Sequence, residues 1–327
     1  MKTLLVTGAT GFVGRNLLLS EIAKGSEILA PVRNPQKLRD QILLEGLDPA
    51  RVTALPADPS KWGPIRPTHA LLSAGVLFAR SREEYFQTNV DWTLDVLDAL
   101  PESTRTVLLS SQSAGGPTPH GAQARTEADA DMPLTWYGHS KLALEKAIRQ
   151  RHSHRRIHIL RPPMILGPRD SATASLFKMA GGFVRPKPGL RRKEFSFLSV
   201  QDVLGAIESA WETDLRGPHY IAADHTITDR DLIETAARTV RSQGITLPLP
   251  LFLVKALSMI VDAVPALRSA APSLTRDRAR EIQPDRWVVD SSAFRKATGW
   301  TNREGLNDAL EAAKNFLDRE RSSSREK

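Results

Sequence analysis

Three glycines, each three residues from the next, follow the first apolar run of the chain. The run Thr3–Thr7 is short and rich in leucine, and the segment after it reads Thr7-Gly8-Ala9-Thr10-Gly11-Phe12-Val13-Gly14. An apolar helical pattern comes next, so the glycines fall in the turn between a first strand and a first helix. Such glycines allow a tight turn, close approach of the backbone to a pyrophosphate, and close packing of helix on strand. A plain structural turn is the alternative, but this position favours a dinucleotide site at the helix start.

Short apolar runs alternate with helical patterns through the first half of the chain, which is typical of βαβ units around a parallel sheet. The predicted strands are Thr3–Thr7, Glu27–Val32, Val52–Pro56, Ala70–Ser73, Thr106–Ser110 and Ile157–Leu160. The predicted helices are Gly11–Ala23, Pro35–Leu44, Arg82–Leu100 and Trp136–Arg151. The sequence therefore predicts an α/β fold, a Rossmann-type doubly wound parallel sheet with a smaller C-terminal α/β lobe.

The pattern changes after Pro162, where Gly and Pro punctuation and mixed short elements begin. We expect an NAD(P)-binding Rossmann domain over residues 1–162 and a substrate-binding lobe over residues 163–318, partly interleaved with the first domain. Residues 319–327 are charged, and we expect them to form a frayed tail.

The composition excludes several classes of protein. The 327 residues contain no cysteine, which removes disulfides, thiolate metal sites and cysteine nucleophiles, and we expect no metal site. The net charge of +8 raises nucleic acid, membrane surfaces and anionic small molecules as partners. No nucleic-acid recognition motif accompanies the basic runs, so we expect no nucleic acid partner. The apolar stretch Leu247 to Leu267 is interrupted by prolines and charges and predicts no membrane span, and we expect a cytoplasmic protein.

The end of the second strand bears on the choice between NAD and NADP. NAD-binding folds usually carry an acidic residue there for the adenosine ribose, whereas NADP requires a cation near the 2′-phosphate. This chain has no acid at that point and places Arg33 there, which favours NADP(H), with NAD(H) as the alternative. A solvated loop arginine is the competing interpretation. Asp58, after the third strand, is a candidate for the adenine amino group, with an Asp-Pro turn as its alternative.

Tyr137 and Lys141 are four residues apart and so share one face of a predicted helix. A lysine cation beside a phenol stabilises the phenolate and lowers the tyrosine pKa toward a range useful for proton transfer. The fifth strand ends in Leu109-Ser110-Ser111-Gln112-Ser113, at the carboxyl edge where an open α/β sheet binds its ligand. A serine there is suited to hydrogen-bond a substrate oxygen as charge develops on it.

Taken together, these motifs resemble the extended branch of the short-chain dehydrogenase/reductase superfamily, which includes nucleotide-sugar epimerases and dehydratases, dihydroflavonol reductases and 3β-hydroxysteroid dehydrogenases. The matching motifs, in family order, are residues 7–14, Leu72-Ser73-Ala74-Gly75, Thr88-Asn89-Val90, Ser110-Ser111, Tyr137 to Lys141, Arg161-Pro162-Pro163 with Gly167-Pro168, Phe197 to Val203 and Thr298-Gly299-Trp300. The resemblance covers nearly the whole chain. It also implies a homodimer.

The resemblance implies a role for each residue at the site. Tyr137 would be the proton donor or acceptor, and Lys141 would hold the nicotinamide ribose and act on the tyrosine. Counting back from Gly116 puts the catalytic hydroxyl on Ser111, with Ser113 as the alternative. The remaining residues expected to contact or support the cofactor are Thr7, Gly8, Gly11, Phe12, Val13, Gly14, Ala74, Gly75, Asn89 and Pro162.

Arg33 moves the expected function toward an NADP(H)-dependent oxidoreductase that interconverts a ketone and a secondary alcohol on a small alicyclic or aromatic substrate. The apolar stretch Leu247 to Val264 is a candidate pocket wall for such a substrate, with a core or interface helix as the alternative. The first alternative function is a nucleotide-sugar epimerase or dehydratase, favoured by a basic cluster that could clamp a diphosphate. The cluster comprises Arg185, Lys187, Arg191, Arg192 and Lys193. The second alternative is a non-catalytic regulator that binds the cofactor.

Overall fold

Seven parallel strands form the central sheet in the computed structural model, which describes residues 2–325. The strands, in chain order, are β1 Thr3–Thr7, β2 Glu27–Pro31, β3 Val52–Leu55, β4 His69–Leu72, β5 Arg105–Leu109, β6 Ile157–Arg161, β7 Met164–Leu166, β8 Val184–Pro188, β9 Glu194–Phe195, β10 Phe197–Ser199, β11 Pro218–Tyr220, β12 Ile227–Thr228, β13 Ile245–Leu249 and β14 Arg286–Trp287. The central sheet has the order β11-β6-β5-β4-β1-β2-β3. The predicted doubly wound fold is confirmed, and its strand order reverses between β1 and β4, where such folds bind their ligands.

The helices cover both faces of the central sheet, and some lie beyond its edge. They are α1 Phe12–Ala23, α2 Pro35–Leu43, α3 Arg82–Phe86, α4 Trp92–Ala99, α5 Gln112–Gly115, α6 Trp136–Arg151, α7 Ser171–Ala180, α8 Val200–Glu212, α9 Asp229–Thr239, α10 Leu251–Ala263, α11 Pro265–Ala270, α12 Ser292–Thr298 and α13 Leu306–Arg325. A π-helical turn spans Gln87–Asp91, and 3₁₀ turns span Pro49–Arg51, Pro59–Lys61, Pro272–Leu274 and Arg278–Ile282.

The central strands are buried on both faces, which explains why they appear in the sequence as continuous apolar runs. Side chains of α1 and α8, such as Leu17 and Trp211, pack on one face of the sheet. Those of α4 and α6, such as Leu94 and Leu144, pack on the other. All seven strands run parallel, so their carboxyl ends meet along one edge of the sheet.

The helix predicted over Arg82–Leu100 is not a single α-helix. It is divided into α3 and α4 by the π-helical turn Gln87–Asp91. Asn89 lies in this turn, is fully buried, and exchanges hydrogen bonds with the backbone of Val76 at 2.8 and 3.2 Å. The wider turn lets Asn89 face the loop after β4, a tertiary constraint that helical periodicity does not contain.

The chain beyond residue 162 contributes β11 to the central sheet and forms three small sheets, β7 with β10, β12-β9-β14, and β8 with β13. Its contribution to the large sheet fits the expected interleaving, and the domain boundary at residue 162 stays a prediction. Residues 319–325, expected as a frayed tail, instead continue α13, whose preceding turn carries a Lys314–Asp318 pair at i,i+4. Residues 326–327 of that predicted tail lie outside the described residues. In the described part of the chain, no helix has the length and apolar character required to cross a membrane.

Candidate active site

The glycine turn between β1 and α1 has the geometry that the sequence pattern requires. Gly8 has a φ of +71°, a left-handed conformation that glycine adopts without strain. A Cβ on Gly14 would lie 2.3 Å from the Gly8 carbonyl oxygen, so a side chain there would force the helix away from the turn. The first turn of α1 has no side-chain cap at Gly11, which leaves backbone N–H groups for an anion.

Hydrogen bonds join the turn to the end of β4. The Thr7 hydroxyl accepts from the backbone N–H groups of Ser73 and Ala74 at 3.0 and 3.1 Å, and the Ser73 hydroxyl donates to the Thr7 carbonyl at 2.7 Å. A Cβ on Gly8 would lie 3.0 Å from the Ala74 nitrogen. The predicted cofactor residues after β1 and β4 therefore form one continuous backbone surface at the point where the strand order reverses.

Gly75 and Asn89 link that surface to helix α6. A Cβ on Gly75 would lie 3.0 Å from the Asn89 amide oxygen and 3.5 Å from the Lys141 ammonium nitrogen. The Asn89 amide also donates to the Ser140 hydroxyl at 3.0 Å. Asn89 thus holds the loop after β4 against α6, a positioning role that fits its expected support of the site.

Helix α6 is fixed at its N-terminus, next to Tyr137. The Thr135 hydroxyl accepts from the Gly138 N–H at 3.2 Å and so caps the helix. A Cβ on Gly138 would lie 2.4 Å from the Ser113 carbonyl oxygen, which shows how closely α5 packs against this turn. The close packing sets the position of the tyrosine relative to the serines that follow β5.

The structure brings Ser111, Tyr137 and Lys141 together at the carboxyl edge of β5. The Ser111 side chain lies beside the Tyr137 phenol and acts to lower its pKa, and the Lys141 ammonium donates to the Leu109 carbonyl at 3.0 Å. The ammonium nitrogen lies 5.9 Å from the centre of the tyrosine ring. Ser113 is in α5 rather than in an extended segment, so it does not share the face of Ser111 as expected. Its backbone N–H donates to the Ser111 hydroxyl at 3.1 Å, and the choice of Ser111 as the catalytic serine stays a prediction.

Burial shifts the pKa values of the two proton-active groups in opposite directions. Burial raises the pKa of Tyr137 to about 12, although the Arg278 charge and the Ser111 hydrogen bond act to lower it. Burial lowers the pKa of Lys141 to about 8, with the Glu145 carboxylate acting to raise it. At neutral pH, then, the phenol is protonated and the ammonium is charged. This pair can donate a proton to a developing alkoxide and hold the resulting phenolate.

A buried ion pair lies one helical turn beyond Lys141. Glu145 is fully buried and accepts from the Ser110 hydroxyl and from Arg161, whose Nη2 lies 2.6 Å from Oε2. Arg161 also contacts Asp131 at 2.7 Å and the Tyr220 hydroxyl at 3.1 Å. Burial acts to lower the pKa of Arg161, but the hydrogen bonds and charge of Glu145 outweigh it and raise the pKa. The network joins the end of β6 to α6 and fixes the face that carries Lys141.

Sequence reasoning missed the turn Arg278–Ile282, which packs on the start of the catalytic helix. Glu281 accepts from the Thr135 hydroxyl at 2.9 Å and forms an ion pair with Arg278 at 3.0 Å. Asp277 accepts from the Trp136 N–H at 3.1 Å. The available signal was the alternating charge of Arg276-Asp277-Arg278-Ala279-Arg280-Glu281, in a region otherwise treated as part of the smaller lobe.

Arg278 is the member of this turn that faces the tyrosine. Its guanidinium carbon lies 5.4 Å from the ring centre of Tyr137 and 5.4 Å from that of Phe78. The Nε and Nη1 atoms are buried and have no hydrogen-bond partner among the described residues. A buried guanidinium with two unused donors beside the proton-donating group is suited to bind an anionic or oxygen-rich part of a ligand.

Arg33 and Asp58 lie at the ends of β2 and β3, on the edge that also carries the glycine turn. Arg33 is exposed, and no carboxylate in the described part of the chain pairs with it. The Asp58 carboxylate accepts from the N–H and hydroxyl of Ser60 at 3.1 and 2.7 Å and caps a 3₁₀ turn. This is the turn that the Asp-Pro alternative describes, so the adenine contact of Asp58 stays a prediction.

The basic cluster proposed as a diphosphate clamp is largely bonded within the protein. Arg185 donates to the Ala180 carbonyl at 2.9 Å and to Ser242 at 2.9 Å. Lys187 pairs with Asp229 at 2.8 Å. Lys193 donates to backbone carbonyls of residues 282–284 at 2.6 to 3.4 Å. Arg191 and Arg192 are the exposed members of the cluster.

The remaining predicted cofactor residues lie at the start of α1 and directly after β6. Val13 is buried and Phe12 half-buried at the start of α1. Pro162 is buried at the end of β6, and its carbonyl accepts from the Gln112 N–H at 2.8 Å. The cradle that a Cβ would fill at Gly8 and Gly14 and the uncapped start of α1 fit a dinucleotide pyrophosphate. Lys141, beside Gly75, fits the ribose and nicotinamide end.

The sequence is similar to those of known proteins. The sequence model of the NAD dependent epimerase/dehydratase family matches residues 4–223. The chain is 26% identical over 271 residues to the UDP-glucose 4-epimerase of Vibrio cholerae, covering 78% of this chain and 80% of that protein. It is 25% identical over 322 residues to the ceramide reductase of Caulobacter vibrioides, covering 93% and 91%.

The fold is also that of a solved structure. The UDP-glucuronic acid 4-epimerase of Bacillus cereus, in complex with NAD and UDP-4-deoxy-4-fluoro-glucuronic acid, is similar with a TM-score of 0.75. The sequence identity is 19%, and the alignment covers 97% of this chain and 99% of that one.

Proposed function

The chain belongs to the NAD dependent epimerase/dehydratase family, within the extended short-chain dehydrogenases/reductases, and we propose that it interconverts a secondary alcohol and a ketone on the sugar of a nucleotide sugar. The observation that supports the redox step is the placement of Ser111, Tyr137 and Lys141 together at the carboxyl edge of β5, with the Lys141 ammonium 5.9 Å from the centre of the tyrosine ring. Each of these groups has a part in moving one proton to or from a substrate oxygen.

The protein's part in the reaction follows from these positions. When bound, the nicotinamide supplies or accepts the hydride. Tyr137, with its raised pKa of about 12, starts protonated and gives its proton to the substrate oxygen in the reducing direction. Ser111 hydrogen-bonds the same oxygen, and the charged Lys141 stabilises the phenolate that forms. Glu145 and Arg161 keep α6 in register and do not contact the reacting atoms.

A nucleotide sugar is supported by the family, by the relation to a UDP-glucose 4-epimerase, and by Arg278. The unused Nε and Nη1 belong to a guanidinium whose carbon lies 5.4 Å from the ring centre of Tyr137, and such donors are suited to a phosphate or carboxylate oxygen. The ketone–alcohol reductase expected from the sequence is not confirmed, and the family and its relatives support the nucleotide-sugar alternative more closely.

One observation favours a second candidate, a net reductase of an apolar ketone. Three members of the cluster that was expected to clamp a diphosphate, Arg185, Lys187 and Lys193, are bonded within the protein. The ceramide reductase, whose name implies a lipid substrate, is covered over 91% of its length. A substrate without a diphosphate would not require those cations.

Two measurements separate these candidates. Isothermal titration with UDP and dTDP should give binding if the substrate is a nucleotide sugar, and Arg278→Met should weaken it. If neither nucleotide binds and the protein oxidises NADPH with a panel of lipid-like or alicyclic ketones, the reductase is the function. Tyr137→Phe should abolish turnover in either case while NADPH binding persists. Unchanged turnover would refute the role assigned to Tyr137, whereas a wild type that binds NADPH but turns over no substrate would favour a non-catalytic regulator.

The cofactor choice has its own test. We infer a preference for NADP(H) because Arg33 is exposed at the end of β2, where NAD-binding folds usually carry an acidic residue. Arg33→Asp should reverse the ratio of the Kd values for NADPH and NADH, and Arg39→Asp, an exposed arginine on α2, is the matched control. A ratio that is the same in wild type and Arg33→Asp would remove the support for NADP(H).

A further inference from the structure

Helix α10 lies on the surface with an apolar outer face. Its buried side is the stripe Val254, Ser258 and Val261, at helical spacing. The side chains that point away from the protein are Phe252, Leu253, Leu257, Met259 and Ile260, of which Phe252 is 69% and Ile260 53% exposed. A helix that is apolar on all sides is normally buried, so this face calls for a covering partner.

The two-stranded sheet β8–β13 continues the same surface. It is followed directly by α10, and its outward residues Val184, Ile245, Leu247 and Leu249 are all exposed. Of the nineteen large apolar side chains exposed among the described residues, thirteen lie within residues 183–190 and 245–267. We call this combined surface of α10, α11, β8 and β13 the apolar face. Its concentration in two segments sets it apart from scattered exposed leucines.

Positive charge surrounds the apolar face. Residues 183–192 contain four cations and no acid; Arg191 and Arg192 are exposed, whereas Arg185 is buried and Lys187 pairs with Asp229. Lys255 projects from α10 itself and is exposed, and Arg241 is exposed just before β13. Asp262, the acid within α10, lies 3.4 Å from Arg268. The segments that build the face therefore carry a net positive charge at their borders.

A basic cavity opens beside the face. It has a volume of about 560 Å³ and is bounded by β8, β13 and α9. Arg185, Lys187, Arg230 and Arg238 line it together with Glu234; Lys187 pairs with Asp229, and Arg230 pairs with Glu234. These residues are separate from the groups around Tyr137. An apolar surface next to a basic cavity complements acyl chains next to anionic headgroups.

We propose that the apolar face docks on a bilayer that contains anionic phospholipid, with α10 lying along the interface. The 13 residues of α10 extend about 20 Å, shorter than the roughly 30 Å of a bilayer core, so the helix lies on the membrane rather than across it. A second copy of this chain would bring two positively charged borders together, whereas an anionic lipid surface neutralises them. This docking is independent of the proposed nucleotide-sugar substrate.

Helix α10 is joined to the candidate active site by a short stretch of chain. The chain runs from α10 through α11 and the turn Pro272–Leu274 to the turn Arg278–Ile282. That last turn carries Arg278 over the ring of Tyr137. A short connection thus joins the membrane-facing helix to the cation beside the proton donor.

Vesicle co-sedimentation of the full-length protein tests the proposal. Wild type should bind vesicles of phosphatidylcholine with one quarter phosphatidylglycerol, bind pure phosphatidylcholine much more weakly, and dissociate as salt rises. The double variant Phe252→Ser/Ile260→Ser should bind about tenfold or more weakly, since both side chains are exposed in the free protein and would be buried in lipid. Leu43→Ser/Leu44→Ser removes two exposed leucines of similar exposure from the α2 end and should bind like wild type.

The results show whether the apolar face binds an anionic lipid surface or a second copy of this chain. Circular dichroism and Tm should show both double variants folded like wild type, because the altered side chains are on the surface. Equal vesicle binding by wild type and Phe252→Ser/Ile260→Ser would overturn the proposal, as would absence of binding to anionic vesicles. If sedimentation velocity instead shows a wild-type dimer that this variant dissociates, without vesicle binding, the occupant is a second copy and the lipid assignment is wrong.

Discussion

Replacing Lys141 by methionine should make the free protein more stable while removing its activity. Lys141 is 4% exposed, and among the described residues its ammonium has one hydrogen-bond acceptor, the Leu109 carbonyl at 3.0 Å. The nearby Glu145 carboxylate is engaged by Arg161 and Ser110. The protein therefore holds a charge at a site where burial disfavours it, and methionine fills a similar volume without charge.

The size of the effect follows from the pKa of the lysine. Burial lowers that pKa from 10.5 to about 8, and each pKa unit is about 1.4 kcal/mol. At pH 7 the charged lysine therefore lowers the free energy of unfolding by about 3 kcal/mol. Losing the hydrogen bond to the Leu109 carbonyl costs about 1 to 2 kcal/mol in the variant at any pH. The net expectation at pH 7 is a variant more stable by about 1 to 2 kcal/mol.

The pH dependence is the sharper measurement because the hydrogen-bond loss cancels from it. Between pH 8 and pH 10.5 the unfolded lysine binds more protons than the folded one, so wild-type stability rises with pH relative to the variant. Below pH 8 the full penalty is present. Between pH 7 and pH 9.5 the advantage of Lys141→Met should shrink by about 2 kcal/mol.

Urea unfolding followed by tryptophan fluorescence, without cofactor, at pH 7 and pH 9.5 provides the assay. Lys146→Met is the matched control, since Lys146 is exposed on the same helix. This control should differ from wild type by the same small amount at both pH values. If the gap between wild type and Lys141→Met is the same at pH 7 and pH 9.5, the lysine pKa is not lowered by burial and the reasoning fails.

Three further substitutions test other contacts of the site. Ser111→Ala should lower turnover by about 10² to 10⁴ in an initial-rate assay, because it removes the hydroxyl that contacts the phenol, whereas Ser113→Ala should leave it nearly unchanged. Arg161→Met strands the buried Glu145 carboxylate and should lower the free energy of unfolding by about 3 to 5 kcal/mol in urea. Gly14→Ala places a Cβ 2.3 Å from a carbonyl of the turn and should abolish NADPH binding in isothermal titration.

Controls for these substitutions exist in the chain. Arg156→Met alters a half-exposed arginine near the same strand and should change stability little. A Cβ on Gly63 would meet nothing within 4 Å, so Gly63→Ala should bind NADPH like wild type. Equal loss of turnover in Ser111→Ala and Ser113→Ala would contradict the serine assignment. NADPH binding that survives in Gly14→Ala would contradict the close packing of the turn.

The sequence predicted those parts of the fold whose hydrophobic pattern lies within the element itself. The first six strands of the central sheet lie within one or two residues of their predicted bounds, and Trp136–Arg151 is helical over the predicted span. The seventh strand, Pro218–Tyr220, has three residues and no apolar run of its own. Its pairing with β6 depends on where the smaller lobe returns to the sheet, which periodicity does not specify.

The residues of the candidate site likewise include some whose position was predictable from local sequence and some whose position was not. Ser111, Tyr137 and Lys141 belong to segments whose position is set by a strand end and a helix face, so their meeting was predictable. Arg278 reaches Tyr137 from a turn more than 130 residues later in the chain. Nothing in its local sequence indicates that Asp277 and Glu281 pair with the start of α6. The contact required the tertiary structure.

The apolar pattern of α10 predicts a helix, but it does not predict which side of the helix is buried and which is exposed. The sequence suggested a pocket wall, or a core or interface helix, because a helix apolar on all sides has no polar face to mark the solvent side. Its polar side chains do not help, since Ser258 is buried, with its hydroxyl bonded to the Lys255 carbonyl, and Lys255 is exposed. The structure places most of the apolar side chains outward. The side that the sequence leaves undefined is therefore the side that requires a partner, and the cations along its borders favour an anionic one.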